Sequence, residues 1–351
     1  MNTPNNDSPL GQEIIEPQEE VSIETIAKMS ADNLKSVDHP PAYRQVHSKP
    51  HGCVWGQLMV DLDIPENLKH GIFKHPDIFD AWIRFSNGNP PDQNGQFKPD
   101  TVGDIRGMAI KLVNVPGEKI LDDPNHAHEH DFLLMSSPIF FIKNVEDYIT
   151  FFQVGNKVRA GEINVKTGEV PNDLRADFDK VAYAFKIFDE IGESPTNSPL
   201  DRPYWSATPY QLGTHVIKML AEPHPNTEPF NPENATDKDN YLKEAMKAHL
   251  NKKDAYFDLK VQLQTNPETM PIEDPTIEWN EVESPYIKVA TLRIPRQVFD
   301  FQARNKFNEN LSFSPWHCLP EHQPLGGVNR TRKTVYKELS KLRHELNQIS
   351  E

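Results

Sequence analysis

Short runs in which apolar and polar residues alternate recur along the whole chain, and most are stopped by Pro, Gly or Asn. Such alternation puts every second side chain on one face of a β-strand. The stretch YRQVHSKPHGCVWGQLMVDLDIP sets Val54, Leu58, Val60 and Leu62 in near alternation before a Pro. AWIRFSNGNPP stops at an Asn-Gly turn, and DIRGMAIKLVNVPG carries its own turn. DFLLMSSPIFFIKNVEDYITFFQ reads as strand to Ser136 and as helix over Val145 to Phe152. Later, RPYWSATPYQLGTHVIKMLAEPHP alternates again, and DAYFDLKVQLQTN and SPYIKVATLRIPRQ are the clearest strands of the C-terminal half. The 31 Pro and 16 Gly favour many short elements and long ordered loops over a helical bundle. Antiparallel strands joined by long connections, with helices at the two ends, predict an α+β fold: a closed antiparallel β-barrel with helical additions.

Further helices are expected over Glu66 to Phe79, within Val165 to Ile191, and from Asn329 to Arg343. Residues 1–40 read as an acidic N-terminal arm whose amphipathic stretch, Ile23 to Leu34, suits the protein's own surface or a partner subunit. Residues 41–328 form the barrel domain with helical insertions, and 329–351 a C-terminal helix of the same domain. A length of 351 residues allows a sizeable core. The 37 Lys and Arg against 52 Asp and Glu give a net charge of −15, which argues against nucleic acid and anionic membrane surfaces as partners. No apolar run approaches the ~20 residues that span a bilayer. The polar start MNTPNNDSPLGQEIIEPQEE has no apolar signal core, so a cytoplasmic location is expected. Cys53 and Cys318 are too few for a disulfide framework and read as reduced structural residues.

The segment NRTRKTVYKELSKLR carries chemistry. It sets Arg332, Tyr336 and Arg343 at i, i+4 and i+11, on one stripe of a helix. A cation one turn from a phenol favours its ionised form, and a phenolate is a ligand for ferric iron. The alternative is a surface helix with a Tyr packed on aliphatic stems. Three more segments would complete a haem pocket. In YRQVHSKPHG, a neutral His47 on the open face of a haem can carry a proton between the two oxygens of a peroxide; otherwise it is a loop histidine bonded to backbone. Arg84, between Ile83 and Phe85, needs a buried anion or an exposed face. Haem propionates would supply that anion to Arg44, Arg84 and Arg343 together. In SSPIFFIKNVEDY, Phe140, Phe141 and Tyr148 suit a macrocycle or plain core. The loop from Leu121 to His130 contains HAHEH, where His126, His128 and His130 would bind a metal if they shared a strand face, or be a solvated connection.

Taken in order, YRQVHSKPHG, WIRFSNG, DIRGMAIKL, SPIFFIKN and the terminal R-x-x-x-Y resemble the catalase superfamily. The likeness is greater to its small catalase-related haem proteins, which keep the barrel core and lack the extra C-terminal domains of full-length catalases. TPYQLG, FDLKVQLQT, MPIEDPTIEW and NLSFSPWHCLPEHQPLGGVNRTRKTVY share the character of that subfamily, and the match runs from Tyr43 to Arg343. The resemblance implies haem b, with Tyr336 as iron ligand and Arg332 holding it as phenolate. It makes His47 the distal acid and base, Ser86 the hydroxyl that orients it, and Arg44, Arg84 and Arg343 the propionate ligands, with Val46 and Phe140 lining the distal side. One departure stands out. Catalases place an Asn just before the PxFF-type motif, whereas FLLMSSP has Met135 or Ser136 there. Met cannot donate a hydrogen bond and Ser is a shorter donor than an amide, so H2O2 disproportionation should suffer more than reaction with a larger hydroperoxide. The implied activity is that of a peroxidase, or a rearrangement, with organic or lipid hydroperoxides, and weak catalase activity. The alternative is a haem-binding protein with little turnover. A homo-oligomer in which the arm crosses the partner is also implied.

Overall fold

A computed structural model describes residues 10–36, 41–92, 95–192 and 196–349. Helix α1 (Glu19–Lys35) precedes strands β1 (Pro50–Val60), β2 (Ile78–Asn87), β3 (Arg106–Val113) and β4 (Glu129–Met135). Helices α2 (Val145–Arg159) and α3 (Arg175–Gly192) follow, then strands β5 (Tyr204–Trp205), β6 (Tyr210–Leu212) and β7 (His215–Pro223). Helix α4 (Tyr241–Leu250), strands β8 (Ala255–Leu263) and β9 (Ile287–Ile294), and helices α5 (Gln302–Asn310) and α6 (Gly327–Leu346) complete the chain. Every pairing between these strands is antiparallel. Because β5 pairs with both β4 and β7, the order β1-β2-β3-β4-β5-β7-β8-β9 closes into a barrel, with β6 attached to β7.

Strand alternation decides what fills the barrel. Ile83 and Phe85 of β2, Met108 and Ile110 of β3, and Phe132 and Leu134 of β4 join Leu58, Phe257 and Leu259 in the core. Their neighbours Arg84, Ser86, Gly107, Ala109, Leu133 and Met135 therefore face outward. The register sets them in two rows across three strands: Ser86, Gly107 and Met135 in one, and Arg84, Ala109 and Leu133 in the other.

Helices cover this outer wall. Asn144 caps α2 by accepting from Asp147 N–H at 2.8 Å. The helix of the arm lies on its own chain, where Ile23 and Ile26 pack with Val145, Tyr148 and Val335. Two N–H groups at the start of α6, those of Gly326 and Gly327, donate to the carboxylates of Glu13 (2.7 Å) and Glu273 (2.8 Å). Arg330, one turn on, is paired with Glu13, Glu19 and Glu273.

Two expectations change. No α-helix spans Glu66 to Phe79: two 3-10 turns, Glu66–Leu68 and Gly71–Phe73, precede β2. Gly71 has φ +53, a Cβ there would meet His322 Nε2 at 2.2 Å, and Pro76 removes a donor, so the helical pattern is cut on both sides. The helix expected within Val165 to Ile191 is α3. The residues before it turn back at Gly168 (φ +71), bridging Asn164 to Glu169. Finally, β1 ends at Val60, and Leu62 lies beyond it, 75% exposed. Both cysteines are free and buried, and no helix among the described residues is long and apolar enough to cross a membrane.

Candidate functional site

Between the outward rows of β2, β3 and β4 and the covering helices lies a cavity of about 270 Å³, continuous with solvent. Gly107 and Ala109 keep the strand surface low at its floor.

His47 enters from the segment ahead of β1. Its N–H donates to Gly88 O at 2.9 Å, and its φ of 55° is the left-handed region that a residue with a Cβ rarely adopts. Its Nδ1 lies 3.2 Å from Ser86 Oγ, and Nε2 makes no hydrogen bond among the described residues. Burial, with Arg84 and Arg332 close by, pulls its pKa from 6.5 to about 3, so the ring is neutral at pH 7.

Helix α6 contributes Arg332, Tyr336 and Arg343 to the same cavity. Arg332 Nη2 is 3.5 Å from Tyr336 Oη, with the guanidinium carbon 5.3 Å from the Tyr336 ring centre. Tyr148, from α2, stays a neutral phenol: burial and the nearby Tyr336 push its pKa up to about 12.

A second feature is an excess of buried positive charge. Arg44 pairs with Glu309 at 3.1 Å and Arg343 approaches the same carboxylate at 3.7 Å. Arg84 is 3% exposed and donates to Asn308 Oδ1 (3.1 Å) and Ser48 O (3.3 Å). Arg44 and Arg343 also donate to carbonyls at the C-terminal end of α5, where the helix dipole favours cations. Among the described residues, three guanidiniums thus share one carboxylate. Burial, and then Arg44, pull Arg84 and Arg343 each down to about 9. A ligand with two negative charges would relieve this excess.

The remaining wall is apolar and aromatic. Phe140 stacks on Phe141 at 4.5 Å and meets Tyr148 edge-on at 6.5 Å, with Val46, Phe152, Phe188, Ile105 and Leu133 also lining the space. Of the thirteen residues that the sequence offered for a haem pocket, Phe141 included, all but Ser136 line this cavity. Ser136 instead accepts from Arg106 N–H through Oγ at 2.9 Å and donates its own N–H to Arg106 O. Met135 is the outward residue at the end of β4, so a thioether occupies the position in question. The three histidines of HAHEH do not gather either. His130 packs against Phe132 and His322, while His126 stacks on His317 at 4.0 Å. The ligand atoms of Asp123, His126 and His317 do lie within 4.8 Å of one another, but that group takes only His126 from HAHEH.

No protein-family model matches the sequence, and no curated protein matches it. Solved structures do. A fungal catalase aligns with a TM-score of 0.64 at 18% identity, over 99% of this chain and 68% of the fungal one. The fold is that of the catalases. Catalase A from Saccharomyces cerevisiae gives 0.65 at 17% identity (99% and 70% covered), and a bacterial catalase 0.59 at 18% (99% and 66%).

In this catalase fold the cavity lies outside the barrel wall, and several of its residues escaped the sequence reading. Gly107 and Ala109 form the floor; a Gly inside the apolar run DIRGMAIKL does signal close approach. Glu309 and Asn308 carry no local signal, being brought to Arg44 and Arg84 from more than 200 residues away. Ser30 and Leu34 of α1 close one side.

Proposed function

We propose that this catalase-like protein is a haem-dependent oxidoreductase acting on hydroperoxides, with organic or lipid hydroperoxides preferred over H2O2. What carries the reading is the meeting, around one cavity, of an arginine-braced tyrosine, a neutral histidine and three guanidiniums that share a single carboxylate. The residues fit haem b. Arg44, Arg84 and Arg343 would take its two propionates, Gly107, Ala109 and Phe140 its apolar body, and the Tyr336 phenolate, held by Arg332, its iron. When bound, the group supplies an iron centre able to take oxidising equivalents from a peroxide.

The chain's own part is to orient the peroxide and move its proton. With the ring proton on Nδ1, Ser86 Oγ accepts it and Nε2 is left as a base toward the cavity. Nε2 would take the hydroperoxide proton and return it to the departing oxygen. Burial keeps the imidazole neutral far below pH 7, so the base is present across the physiological range. Of the described residues lining the cavity, Met135, Leu133, Ile105 and Phe140 are apolar and offer a peroxide no hydrogen bond. An organic hydroperoxide would gain burial against them at about 25 cal/mol per Å² of apolar surface, which a small peroxide would not.

The test is haem reconstitution followed by stopped-flow mixing with H2O2 and with a fatty-acid hydroperoxide, at matched haem content and with a phenolic reductant. The expected result is a Soret band, many turnovers, and a higher kcat/KM for the lipid hydroperoxide. No Soret band would sink the haem reading. Bleaching without turnover would leave a haem-binding protein.

A further inference from the structure

We propose that Asn329, together with Thr208, is a positioning residue of this site: it aims the Arg332 guanidinium at the Tyr336 oxygen without lending it a negative charge. The inference rests on the haem reading above.

Asn329 sits in the first turn of α6, fully buried. Its Nδ2 donates to Pro209 O at 2.9 Å and to Leu325 O at 3.0 Å. These two bonds fix which way the amide faces, because the flipped amide would set its oxygen against two carbonyl oxygens. Oδ1 is then committed to the other side, where it accepts from Thr208 Oγ1 and from Arg332 Nη1, both at 3.1 Å. The carbonyl of Asn329 is taken as well, by Trp316 Nε1 at 2.8 Å. One guanidinium nitrogen of Arg332 is therefore pinned, and the other, Nη2, is left 3.5 Å from Tyr336 Oη.

The charge balance makes the choice of an amide informative. Among the described residues no carboxylate forms an ion pair with Arg332, whose hydrogen-bonding partners are Thr208, Asn329 and Tyr336. A carboxylate at position 329 would lie nearer the cation than the Tyr336 oxygen does and would neutralise it. A neutral amide orients the guanidinium and leaves its charge for the phenolate.

A second observation points to the same pair. Thr208 follows Ala207, which is fully buried with φ +58, in the left-handed region that a Cβ disfavours. The turn is held by Ser206 Oγ donating to Thr208 O at 2.8 Å and Thr208 N–H donating to Ser206 O at 2.7 Å. Such strain persists where the surroundings over-determine it, and it clusters at functional sites. Here it places the Thr208 hydroxyl 3.1 Å from Asn329 Oδ1, 3.2 Å from Ser206 O and 3.5 Å from Arg332 Nη1, which donates to it.

A role as a mere tie between α6 and the segment around Pro209 would appear in stability alone, so the test separates the two. Thr208→Val removes the hydroxyl at similar shape, and Asn329→Asp puts a carboxylate beside Arg332. Haem titration, the phenolate-to-iron charge-transfer absorption, and the melting of the haem-free proteins are measured for each and for the wild type. Thr208→Val should bind haem about fivefold more weakly and Asn329→Asp about tenfold or more, the range of a buried hydrogen bond and of a charged one. The charge-transfer band should shift in both, while haem-free Thr208→Val melts with the wild type. Should Asn329→Asp not fold, Thr208→Val decides. An unchanged affinity and band in Thr208→Val, with the wild type binding haem, would overturn this inference alone. Loss of affinity that only follows a lower haem-free Tm would do the same. A wild type that takes up no haem would overturn the haem reading and this inference with it.

Discussion

A Cβ on Gly107 would stand 2.3 Å from Nδ1 of His47 and 3.0 Å from the Ser86 hydroxyl oxygen that Nδ1 faces. The imidazole, its partner and the strand floor are thus one packed unit. The left-handed backbone at His47 leaves the ring little freedom to move aside. Gly107→Ala should therefore lower turnover per bound haem by about tenfold or more, since a displaced general base loses much of its contribution. Single-turnover kinetics at matched haem content check this. Unimpaired turnover would mean that His47 does not act from this position.

The ligand assignment gives a second prediction. Tyr336→Phe keeps the ring and removes the oxygen, so the barrel should fold and fail to hold haem firmly. Arg332→Ala keeps the oxygen and removes its cation, so haem should still bind, with an altered spectrum and an affinity reduced at least as much as in Asn329→Asp. Absorption spectra of both variants after haem titration are the measurement, and a wild-type Soret band in Tyr336→Phe contradicts the assignment.

Neighbouring residues at the end of β4 should respond in opposite ways. Met135 faces the cavity, and Met135→Asn would supply a second hydrogen-bonding arm. A bond placed in a dry pocket is worth about one to two powers of ten in rate, so oxygen evolution from H2O2 should rise by that factor. Organic hydroperoxides should gain little. Ser136→Asn breaks the bond to Arg106 N–H, costing about 1 kcal/mol of stability with no gain in rate. His47→Ala should abolish both activities. Oxygen-electrode and lipid hydroperoxide assays, with thermal melts, distinguish the variants.

Acid should weaken the fold through its buried histidines. Burial pulls His47, His51 and His322 each from 6.5 to about 3. Between those values the unfolded chain binds protons that the folded chain does not. This contribution to stability is complete above pH 6.5 and is lost progressively as pH falls toward 3. Urea midpoints measured from pH 8 to pH 4 should decline below about pH 6.5. kcat/KM should show no ionisation of His47 over the range where the protein stays folded; a kinetic pKa near 6.5 that disappears in His47→Ala would contradict the buried, neutral imidazole.

Local periodicity is what the chain by itself made legible. Arg332, Tyr336 and Arg343 share a stripe because helix geometry repeats every 3.6 residues, and Arg84 and Ser86 share a face because strand geometry repeats every two. The barrel followed from those repeats, and the residues named for the cavity, Ser136 apart, from the repeats together with the resemblance that the ordered motifs carry. Tertiary structure decided the rest. Arg84 is outward by alternation, yet it is buried, because Asn308 at the end of α5 folds over it from 224 residues away. Met135 rather than Ser136 faces the cavity because β4 stops there and the next residue turns back onto Arg106. The helix expected over Glu66 to Phe79 gave way where Gly71 must make room for His322. The excess charge around Glu309 is a sum over three guanidiniums drawn from β2, α6 and the segment ahead of β1, and the amide of Asn329 faces Arg332 because Pro209 O, 120 residues away, and Leu325 O hold its other side. Periodicity is a property of neighbours along the chain, whereas burial and charge balance depend on segments that meet only when the barrel closes.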